Sequence, residues 1–410
     1  MGYGKPFPEL GDSYPNPGFL LSLTCRKTRY IIAVMKAEII AIGTELLLGR
    51  IVNTNTAYLG RKLAELGIDL YYQTTVGDNP ERLIELVKRA LGRSDIAILT
   101  GGLGPTVDDI TVEAVKAIAG RRAIKWIANK VGTAPGLIIE ETGKAIICLP
   151  GPPREMEPMF EKEIVPYLKK RFGLSSILKT RVIRTTGLAE IRVNGIVKGL
   201  LTLKPPTTVG IYARLGEVDL VIMSKAKNDR EAAKAIGPIE KKIQSRLKDY
   251  IFGFDGETLE SAVGNALRKK KKTLAIAESC TGGLISNRIT DVSGSSDYFL
   301  AGLVTYSNRS KENLLAVSKS ALQRYGAVSR QVAARMASGA KRLIGADIGL
   351  AVTGIAGPKG GTKAKPVGLV FIAFVDGKKK IVKSFRFKGS RQDIKFQSSQ
   401  AALDIIRRNV

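Results

Sequence analysis

The chain contains no histidine among its 410 residues. Catalytic dyads and triads built on histidine are therefore excluded, as is any metal site with an imidazole ligand. A nucleophile in this protein needs Lys, Tyr, Asp or Glu as its base. A bound metal would need oxygen ligands, which favours hard ions such as magnesium or manganese.

Cysteine is also scarce. Cys25, Cys148 and Cys280 lie far apart and show no CxxC spacing, so neither a zinc site nor a disulfide framework is indicated. This usage is consistent with a reducing cytoplasm, where we expect the protein to be located. No apolar run approaches the roughly 20 residues that span a bilayer, and we expect no membrane partner.

Acidic residues are few compared with basic ones: 37 Asp and Glu against 65 Lys and Arg give a net charge of +28. A basic surface attracts nucleic acid, anionic lipid or phosphorylated small molecules. The lysines are mostly dispersed, and the one dense run, residues 268–272, lies between a predicted helix and a predicted strand. We therefore expect small-molecule nucleotides as partners, with nucleic-acid binding as the alternative.

The length indicates two to four domains, at roughly 100–200 residues per domain. Residues 1–34 are rich in Gly and Pro without periodicity and are predicted to be a disordered leader, which makes Met35 an alternative start. Residues 35–173 alternate strands and helices, which predicts a parallel sheet covered by helices. Residues 174–255 predict a small α+β module, and residues 256–410 a second α/β domain. The predicted fold class is α/β, with two three-layer α/β/α domains joined by the small module.

The most informative motif is AESCTGG at residues 277–283, between an apolar strand and an amphipathic helix. Paired glycines at such a turn let backbone N–H groups approach a ligand and direct a helix N-terminus at its anionic part. The alternative is that the glycines only permit tight packing. Three segments follow that bring Ser, Thr, Tyr and Lys to loop ends: DVSGSS (291–296), VTYSN (304–308) with Lys311, and TGIAGP (353–358). Together they predict an enzyme site.

The first domain has its own strand-end loop, GGLGPT at residues 101–106, which offers bare backbone to a phosphate. Asp108 and Asp109 follow it and could hold a divalent ion beside that phosphate. The alternative is that one of them caps the helix predicted over residues 110–119. Another loop, PGPPREM at residues 150–156, also follows a strand.

These motifs resemble those of the CinA family, the competence/damage-inducible proteins A, over nearly all of residues 35–410. In the last domain AESCTGG, TDVSGSS, VTYSN with Lys311, GAVS, AVTGIAGP, GGT and KPVG stand in the family's order. This domain is similar to nicotinamide-nucleotide amidases, which hydrolyse nicotinamide mononucleotide to the nicotinate form and ammonia. The first domain is similar to molybdopterin-binding-like domains through IGTELLLG, TGGLGPTVDD, VGTAPG and LPGPPREM. In some members that domain hydrolyses ADP-ribose to AMP and ribose 5-phosphate with a divalent ion, and the middle module resembles the family's KH-like linker.

Amide hydrolysis without histidine needs a Ser or Thr nucleophile, a base, and N–H donors for the oxyanion. The candidate nucleophiles are Ser296 and Ser279, with Lys311 as base and Tyr306 as relay. The lysine must lose its proton, which needs burial or a cationic neighbour. The predicted substrate-binding residues are Thr281, Gly282, Gly283, Thr353, Gly354 and Arg391. We expect no cofactor for the amidase and a homodimer as the assembly.

In the first domain, the resemblance and the loops together predict a nucleotide site formed by Glu45, Gly101, Gly102, Gly104, Thr106, Lys130, Gly151 and Glu155. Asp108 and Asp109 are the predicted ligands of a Mg, Mn or Co ion. One segment departs from the family: a long helical segment is expected before VGTAPG, but only residues 120–130 stand there. We therefore expect a pocket that lacks one side, and little pyrophosphatase turnover.

A different class of function stays open, that of a nucleotide- or nucleic-acid-binding protein of DNA uptake or repair without turnover. The net charge of +28 and the KH-like resemblance favour it. A KH domain that binds nucleic acid uses a GxxG loop to clamp the backbone, and the middle module lacks that motif. The amidase is therefore the leading prediction.

Overall fold

The computed structural model describes residues 35–106, 109–174 and 176–410. In these residues the strands form three sheets, one in each predicted domain. The predicted leader, residues 1–34, and the predicted metal ligand Asp108 lie outside the described residues. None of the described helices combines the length and the apolar character that a bilayer crossing requires.

The first sheet has six strands in the order β2-β1-β3-β6-β5-β4. Its strand β1 has six buried residues in succession, as expected for a strand covered on both faces; five are apolar, and the sixth, Glu38, pairs with Arg93. The elements are β1 (Lys36–Ile42), α1 (Thr44–Leu47), α2 (Thr54–Glu65), β2 (Asp69–Val76), α3 (Pro80–Arg93), β3 (Ile96–Thr100), α4 (Thr111–Ala119), β4 (Ile124–Ile127), β5 (Gly136–Glu141), β6 (Lys144–Leu149), α5 (Pro153–Met159) and α6 (Val165–Phe172), with a π-helical turn at Phe160–Ile164. Two apolar clusters cover the two faces of the sheet.

The parallel arrangement predicted for this sheet is correct for β2, β1, β3 and β6. It is wrong for β4 and β5, which add in antiparallel orientation beside β6. The chain leaves α4 through Gly120, which has a positive φ of 59°, and enters β4 four residues later. The segment in which the family resemblance leads one to expect a long helix is therefore a short strand at the sheet edge.

The middle module is a four-stranded sheet in the order β10-β7-β9-β8 with two helices on one face. Its elements are β7 (Ile177–Thr186), α7 (Glu190–Leu201), β8 (Thr207–Arg214), β9 (Glu217–Ala226), α8 (Asp229–Leu247) and β10 (Ile251–Phe254). All strand pairs are antiparallel. Asn228 caps α8 by accepting a hydrogen bond from the N–H of Glu231, which fixes where this long helix begins.

The last domain has a five-stranded sheet in the order β12-β11-β13-β14-β15. Its elements are α9 (Leu259–Lys270), β11 (Leu274–Glu278), α10 (Leu284–Thr290), β12 (Phe299–Val304), α11 (Asn308–Leu315), α12 (Lys319–Tyr325), α13 (Arg330–Ile344), β13 (Ile348–Gly354), β14 (Leu369–Asp376), β15 (Lys379–Arg386) and α14 (Arg391–Arg407). Strands β12, β11 and β13 are parallel, whereas β14 and β15 are antiparallel additions. Helices cover both faces and form two apolar clusters with the sheet.

Candidate active site

The candidate site lies where the three parallel strands of the last sheet end. Glu278 ends β11, Val304 ends β12 and Val352 lies near the end of β13, and the register of the strands pairs these positions side by side. The residues that follow them, including Ser279 and Thr305, therefore meet at one edge of the sheet. Ligands of open α/β sheets bind at this edge.

A serine and a lysine are in direct contact at this edge. Lys311 Nζ lies 3.1 Å from Ser279 Oγ. The same nitrogen donates to the backbone carbonyls of Thr305 at 2.7 Å and Tyr306 at 3.3 Å. Two N–H groups of a neutral amine would serve the two carbonyls, which leaves the lone pair directed at the serine hydroxyl.

Lys311 is only 1 % exposed, although lysine is almost never fully buried without a partner. It forms no ion pair with a carboxylate in the described part of the chain. Burial disfavours the ammonium form and lowers the pKa of Lys311 below its ordinary value of 10.5. The side chain is therefore suited to accept a proton from Ser279, which is 8 % exposed.

The turn after β11 already holds an anion of its own. The carboxylate of Glu278 accepts hydrogen bonds from the N–H groups of Gly283 at 3.0 Å, Ile285 at 3.1 Å and Ser286 at 2.8 Å. It also accepts one from Ser286 Oγ at 2.6 Å. We predicted that Gly282 and Gly283 direct this helix N-terminus at an anionic ligand. In the structure the N–H of Gly283 and those of the helix start donate to Glu278, so that prediction is corrected.

Two backbone donors in the turn have no carbonyl partner among the described residues, the N–H groups of Cys280 and Thr281. The neighbouring amides are occupied, because Ser279 donates to the carbonyl of Val352 and Gly282 to that of Ser279. Donors directly after a nucleophile can hold the oxyanion of a tetrahedral intermediate. The turn therefore offers two free donors of the kind that an acyl-transfer site needs.

Helix α14 brings two cations to the mouth of the site. Arg391 donates to Tyr306 Oη at 2.8 Å and to the carbonyl of Gly357 at 2.6 Å. Lys395 stands one turn further along, and a Cβ placed on Gly282 would lie 3.6 Å from its Nζ. It has no acidic partner in the described residues. The sequence prediction included Arg391 but missed Lys395, for which the signal was its i+4 spacing from Arg391.

Three family models match the chain: "Damage-inducible protein CinA KH domain" over residues 180–253, "Probable molybdopterin binding domain" over 38–170, and "CinA C-terminal domain" over 256–410. A relative from Thermoanaerobacter pseudethanolicus, named as competence-damage inducible, is 46% identical over 408 residues, which cover 91% of this chain and 98% of the relative. The chain belongs to the CinA family. A "CinA-like protein" of Kosmotoga olearia is 44% identical over 408 residues, with the same coverage of 91% and 98%. A crystal structure of a competence/damage-inducible protein from Agrobacterium tumefaciens shares 38% identity, covers 36% of this chain and 90% of its own, and has a TM-score of 0.35.

One predicted nucleophile of this CinA protein lies elsewhere. Ser296 belongs to the 3-10 turn Ser295–Asp297 that precedes β12, and β12 begins opposite the start of β11. The six residues of β12 separate this end from the site by roughly 17 Å, at about 3.3 Å per residue. Arg268, which lies just before β11, contacts both Ser293 and Asp297 there. Within one chain, Ser296 is therefore not brought to Lys311.

Tyr306 does not stand between the serine and the lysine as a relay. Its phenol is 60% exposed and pairs with Arg391, while only its backbone carbonyl reaches Lys311. Cys280, the other nucleophilic atom in the turn, is buried, and this burial raises the pKa of its thiol to about 12. It is therefore a small packing residue rather than a thiolate nucleophile.

Two predicted substrate-binding residues face inward. Thr353 is 1% exposed and its Oγ1 donates to the carbonyl of Ala327, which ties the loop before α13 to the end of β13. A Cβ on Gly354 would lie 2.8 Å from the carbonyl oxygen of Leu369, so this glycine permits the close approach of β14. Both positions shape the site without presenting a side chain to it.

Thr281 is completely buried, and its Oγ1 has no hydrogen-bond partner among the described residues. Its side chain is therefore not exposed to a ligand, and the predicted contact with substrate is left to its backbone N–H.

In the molybdopterin-binding-like domain, the GGLGPT loop also holds its own carboxylate. Asp109 Oδ2 accepts hydrogen bonds from Thr106 N at 2.9 Å and from Thr106 Oγ1 at 2.5 Å. Burial raises the pKa of Asp109, but the hydrogen bonds from Thr106 and Gly104 outweigh it, and the net shift is downward. Asp109 is not the cap of α4, whose N-cap is Ile110.

The glycines of this loop are explained by packing. A Cβ on Gly101 would lie 2.3 Å from the Ile42 carbonyl oxygen, and one on Gly102 would lie 2.5 Å from Thr111 Oγ1. In the described residues no three carboxylate or cysteine side chains group around a cation position. Asp109 accepts its hydrogen bonds from Thr106 on Oδ2, and Asp108 lies outside the described residues, so the divalent ion stays a prediction.

A cavity of about 340 Å³ does lie at the ends of β1, β3 and β6. Two residues of the predicted nucleotide site, Glu45 and Gly151, line it. Asn55 and Thr100 also line it, and sequence reasoning missed both. Asn55 Nδ2 donates to Thr100 Oγ1 at 2.8 Å and to the Gly151 carbonyl at 2.7 Å, whereas its Oδ1 has no partner in the described residues. The run NTNT at the start of α2 was the available signal.

Two predicted nucleotide ligands lie outside this cavity. Glu155 is buried and accepts a hydrogen bond from Asn129 Nδ2 at 2.8 Å, which holds the loop before β5. Lys130 is mostly exposed and lies 3.7 Å from Glu163. Both residues line a second, much smaller recess, so the structure divides the predicted nucleotide site between two places.

Proposed function

We propose that the C-terminal domain is a serine–lysine amidase that releases ammonia from the carboxamide of nicotinamide mononucleotide. The observation that carries the proposal is the contact of 3.1 Å between Ser279 Oγ and the buried Lys311 Nζ. In a histidine-free chain, a hydroxyl needs another base of this kind for its activation. The membership of the CinA family adds the expectation of a pyridine-nucleotide substrate.

In the proposed reaction Ser279 Oγ attacks the carboxamide carbon while its proton passes to neutral Lys311. The carbonyl oxygen becomes an oxyanion, and the N–H groups of Cys280 and Thr281 donate to it. Lys311 then returns the proton to the departing nitrogen, which leaves as ammonia. Water attacks the resulting ester, with Lys311 again as base, and nicotinate mononucleotide is released.

The 5′-phosphate of the substrate needs cations, because the helix N-terminus of α10 is already occupied by Glu278. Arg391 and Lys395 supply these cations on one side of α14. Tyr306, which is exposed and held by Arg391, offers a ring beside them for the planar pyridine. The charged end and the planar end of the substrate are thereby both accommodated next to Ser279.

The test is ammonia release from nicotinamide mononucleotide by the full chain, with identification of nicotinate mononucleotide by mass spectrometry. Ser279→Ala should remove the activity, and Ser320→Ala, an exposed hydroxyl on α12, should keep it. A wild-type chain that is folded yet releases no ammonia would disprove the amidase. Full activity in Ser279→Ala would disprove the assignment of the nucleophile.

A second candidate function belongs to the N-terminal domain, for which we propose binding of the ribose part of an ADP-ribose-type nucleotide. The cavity presents acceptors rather than cations: the Asn55 Oδ1 atom and the carboxylate of Glu45, neither of which has a partner in the described residues. Acceptors match sugar hydroxyls and repel phosphates. Calorimetry should therefore show binding of ADP-ribose that Asn55→Ala weakens, while inorganic phosphate does not compete.

Turnover in this domain is not part of the proposal. The ribose contact proposed for Asn55 and Glu45 needs no divalent ion. Binding that requires magnesium, manganese or cobalt would contradict this view of the cavity, and binding that Asn55→Ala leaves unchanged would contradict the assigned contact.

A further inference from the structure

The turn between β8 and β9 of the middle module lies directly against α14 of the last domain. Gly216 in this turn has a positive φ of 78°, and a Cβ placed on it would lie 2.9 Å from Gln400 Cγ on α14. A glycine at this position therefore permits the close approach. Thr186 Oγ1 donates to the carbonyl of Gly216 at 2.9 Å, which ties the turn to the end of β7.

Gln400 connects a carboxylate of the middle module with a guanidinium of the last domain. Its Nε2 donates to Glu217 Oε1 at 2.8 Å, and its Oε1 accepts a hydrogen bond from Arg288. On the far side, Glu217 Oε2 accepts a hydrogen bond from Arg184 at 2.7 Å. Gln400 is 2% exposed and Arg288 is 7% exposed. Hydrogen bonds to charged groups strengthen where water is excluded, so this chain of contacts fixes how its members are oriented.

Arg288 joins the two helices that border the candidate active site. It lies on α10, whose first N–H groups donate to Glu278, directly before Ser279. It also donates to Ser399 Oγ on α14 at 2.6 Å. Lys395, the proposed phosphate contact, lies one helical turn before Ser399 on the same helix. The contact made by the middle module therefore continues to the helix that carries the phosphate-binding cation.

The end of α14 is held by the middle module as well. Arg407 Nη1 donates to the carbonyl of Ile251 at 3.0 Å, and its Nη2 donates to the carbonyl of Asp249 at 2.5 Å. Both carbonyls lie where β10 begins. The middle module thus contacts α14 in its middle and at its end, while the start of the helix faces the candidate site.

We propose that the middle module is a working part of the amidase, in which Glu217 is a positioning residue that holds α14 with Lys395 in place for the substrate's phosphate. This inference rests on the proposed function. Glu217 does not touch the substrate and acts through Gln400. If the buried N–H of Gln400 loses its acceptor, α14 is no longer held in one position. Contacts that couple separated positions in this way change binding roughly 2- to 30-fold.

An exchange of the two polar groups tests the contact without a change in size. In Glu217→Gln, an amide faces both Gln400 and Arg184, so one of these contacts places donor against donor. In Gln400→Glu, two carboxylates meet and repel each other. Each single variant should raise KM for nicotinamide mononucleotide roughly 2- to 30-fold. The double variant Glu217→Gln/Gln400→Glu should recover the wild-type KM, because its new amide donates to its new carboxylate, which still accepts from Arg288.

A second substrate separates positioning from general damage to the fold. Nicotinamide riboside lacks the phosphate, so all three variants should hydrolyse it at nearly the wild-type rate. The matched control is Glu240→Gln. Glu240 accepts hydrogen bonds from Arg181 at 2.9 Å and from Gln244 at 3.1 Å, and both partners belong to the middle module. Equal losses for both substrates, an equal loss in Glu240→Gln, or a double variant as impaired as the single ones would overturn the proposal.

Hydrogen–deuterium exchange tests the contact without any activity. Backbone amides of residues 391–400 should exchange faster in each single variant and at the wild-type rate in the double variant, whereas those of α13 should not change. If a single variant fails to fold, which circular dichroism reveals, recovery of the fold in the double variant supports the contact, and no recovery overturns it. If the wild-type chain releases no ammonia, the amidase fails, while the exchange of α14 still decides the contact. Unchanged exchange of α14 in a folded Gln400→Glu variant would overturn it.

Discussion

Replacement of Lys395 by methionine isolates the phosphate contact proposed for α14. Lys395 Nζ lies close to Gly282 and is half-buried without an acidic partner among the described residues, so its charge is available to a ligand. A hydrogen bond to a charged group contributes about 1.5–3 kcal/mol, and each 1.4 kcal/mol is about tenfold. We therefore expect kcat/KM for nicotinamide mononucleotide to fall roughly 10- to 140-fold, mostly through KM, because the phosphate is bound alike in the ground state and the transition state.

The assay compares two substrates that differ only in the phosphate. Nicotinamide riboside should be hydrolysed slowly by the wild-type chain and at nearly the same rate by Lys395→Met. The matched control is Lys380→Met, which removes one charge from the exposed β15 on the far end of the sheet. A loss that is equal for both substrates would refute the phosphate contact, and an equal loss in Lys380→Met would assign the effect to the general field of the basic surface.

Four further predictions concern Ser279, Lys311 and the turn after β11. Ser279→Ala and Lys311→Met should each reduce kcat by several orders of magnitude, and the double variant should be little worse, because the two groups act as a unit; additive losses in steady-state kinetics would contradict this. The lowered pKa of Lys311 predicts that kcat/KM rises with pH to a plateau below the ordinary lysine value of 10.5. Lys311 binds its proton less tightly in the folded state than in the unfolded state, so the wild-type protein loses stability as pH falls below 10.5. The Lys311→Met variant lacks this loss, and its stability advantage over the wild type should shrink as pH rises. Melting temperatures of the two proteins that change in parallel over a pH series would refute this. Glu278→Gln should lower the melting temperature, since it leaves buried N–H groups of α10 with a weaker acceptor, and an unchanged melting temperature would show that the cap contributes little.

The sequence predicted well what depends on local pattern. The predicted α/β class is correct, and so is the parallel pairing of β1, β2, β3 and β6, because apolar strands that alternate with helices leave a clear signal. The sequence left Ser279 and Ser296 as alternative partners of Lys311, because spacing along the chain does not fix the distance between side chains. Ser296 could have been placed correctly: it precedes β12, and sites of parallel sheets form after the strands.

Other features could not be predicted from the sequence. Strands β4 and β5 add to the sheet in antiparallel orientation, which depends on tertiary pairing rather than on residue pattern. Glu278 stood inside the quoted AESCTGG motif. Its capping role depends on a side chain that accepts hydrogen bonds from N–H groups five to eight residues further along the chain, and the motif does not show this. The role of Lys395 likewise depends on the packing of α14 against a distant turn.

In each of the two strand-end turns, a carboxylate of the protein, Glu278 or Asp109, already accepts hydrogen bonds from N–H groups of the turn. In a turn whose N–H groups bind a phosphate, the donors gain their acceptor only in the complex. In these two turns the donors gain their acceptor when the protein folds. In the function proposed above, ligand affinity comes from side chains on other elements, such as Lys395, which can change without loosening the turn. Specificity in this scaffold can therefore diverge by single surface substitutions, while the geometry around Ser279 stays constant.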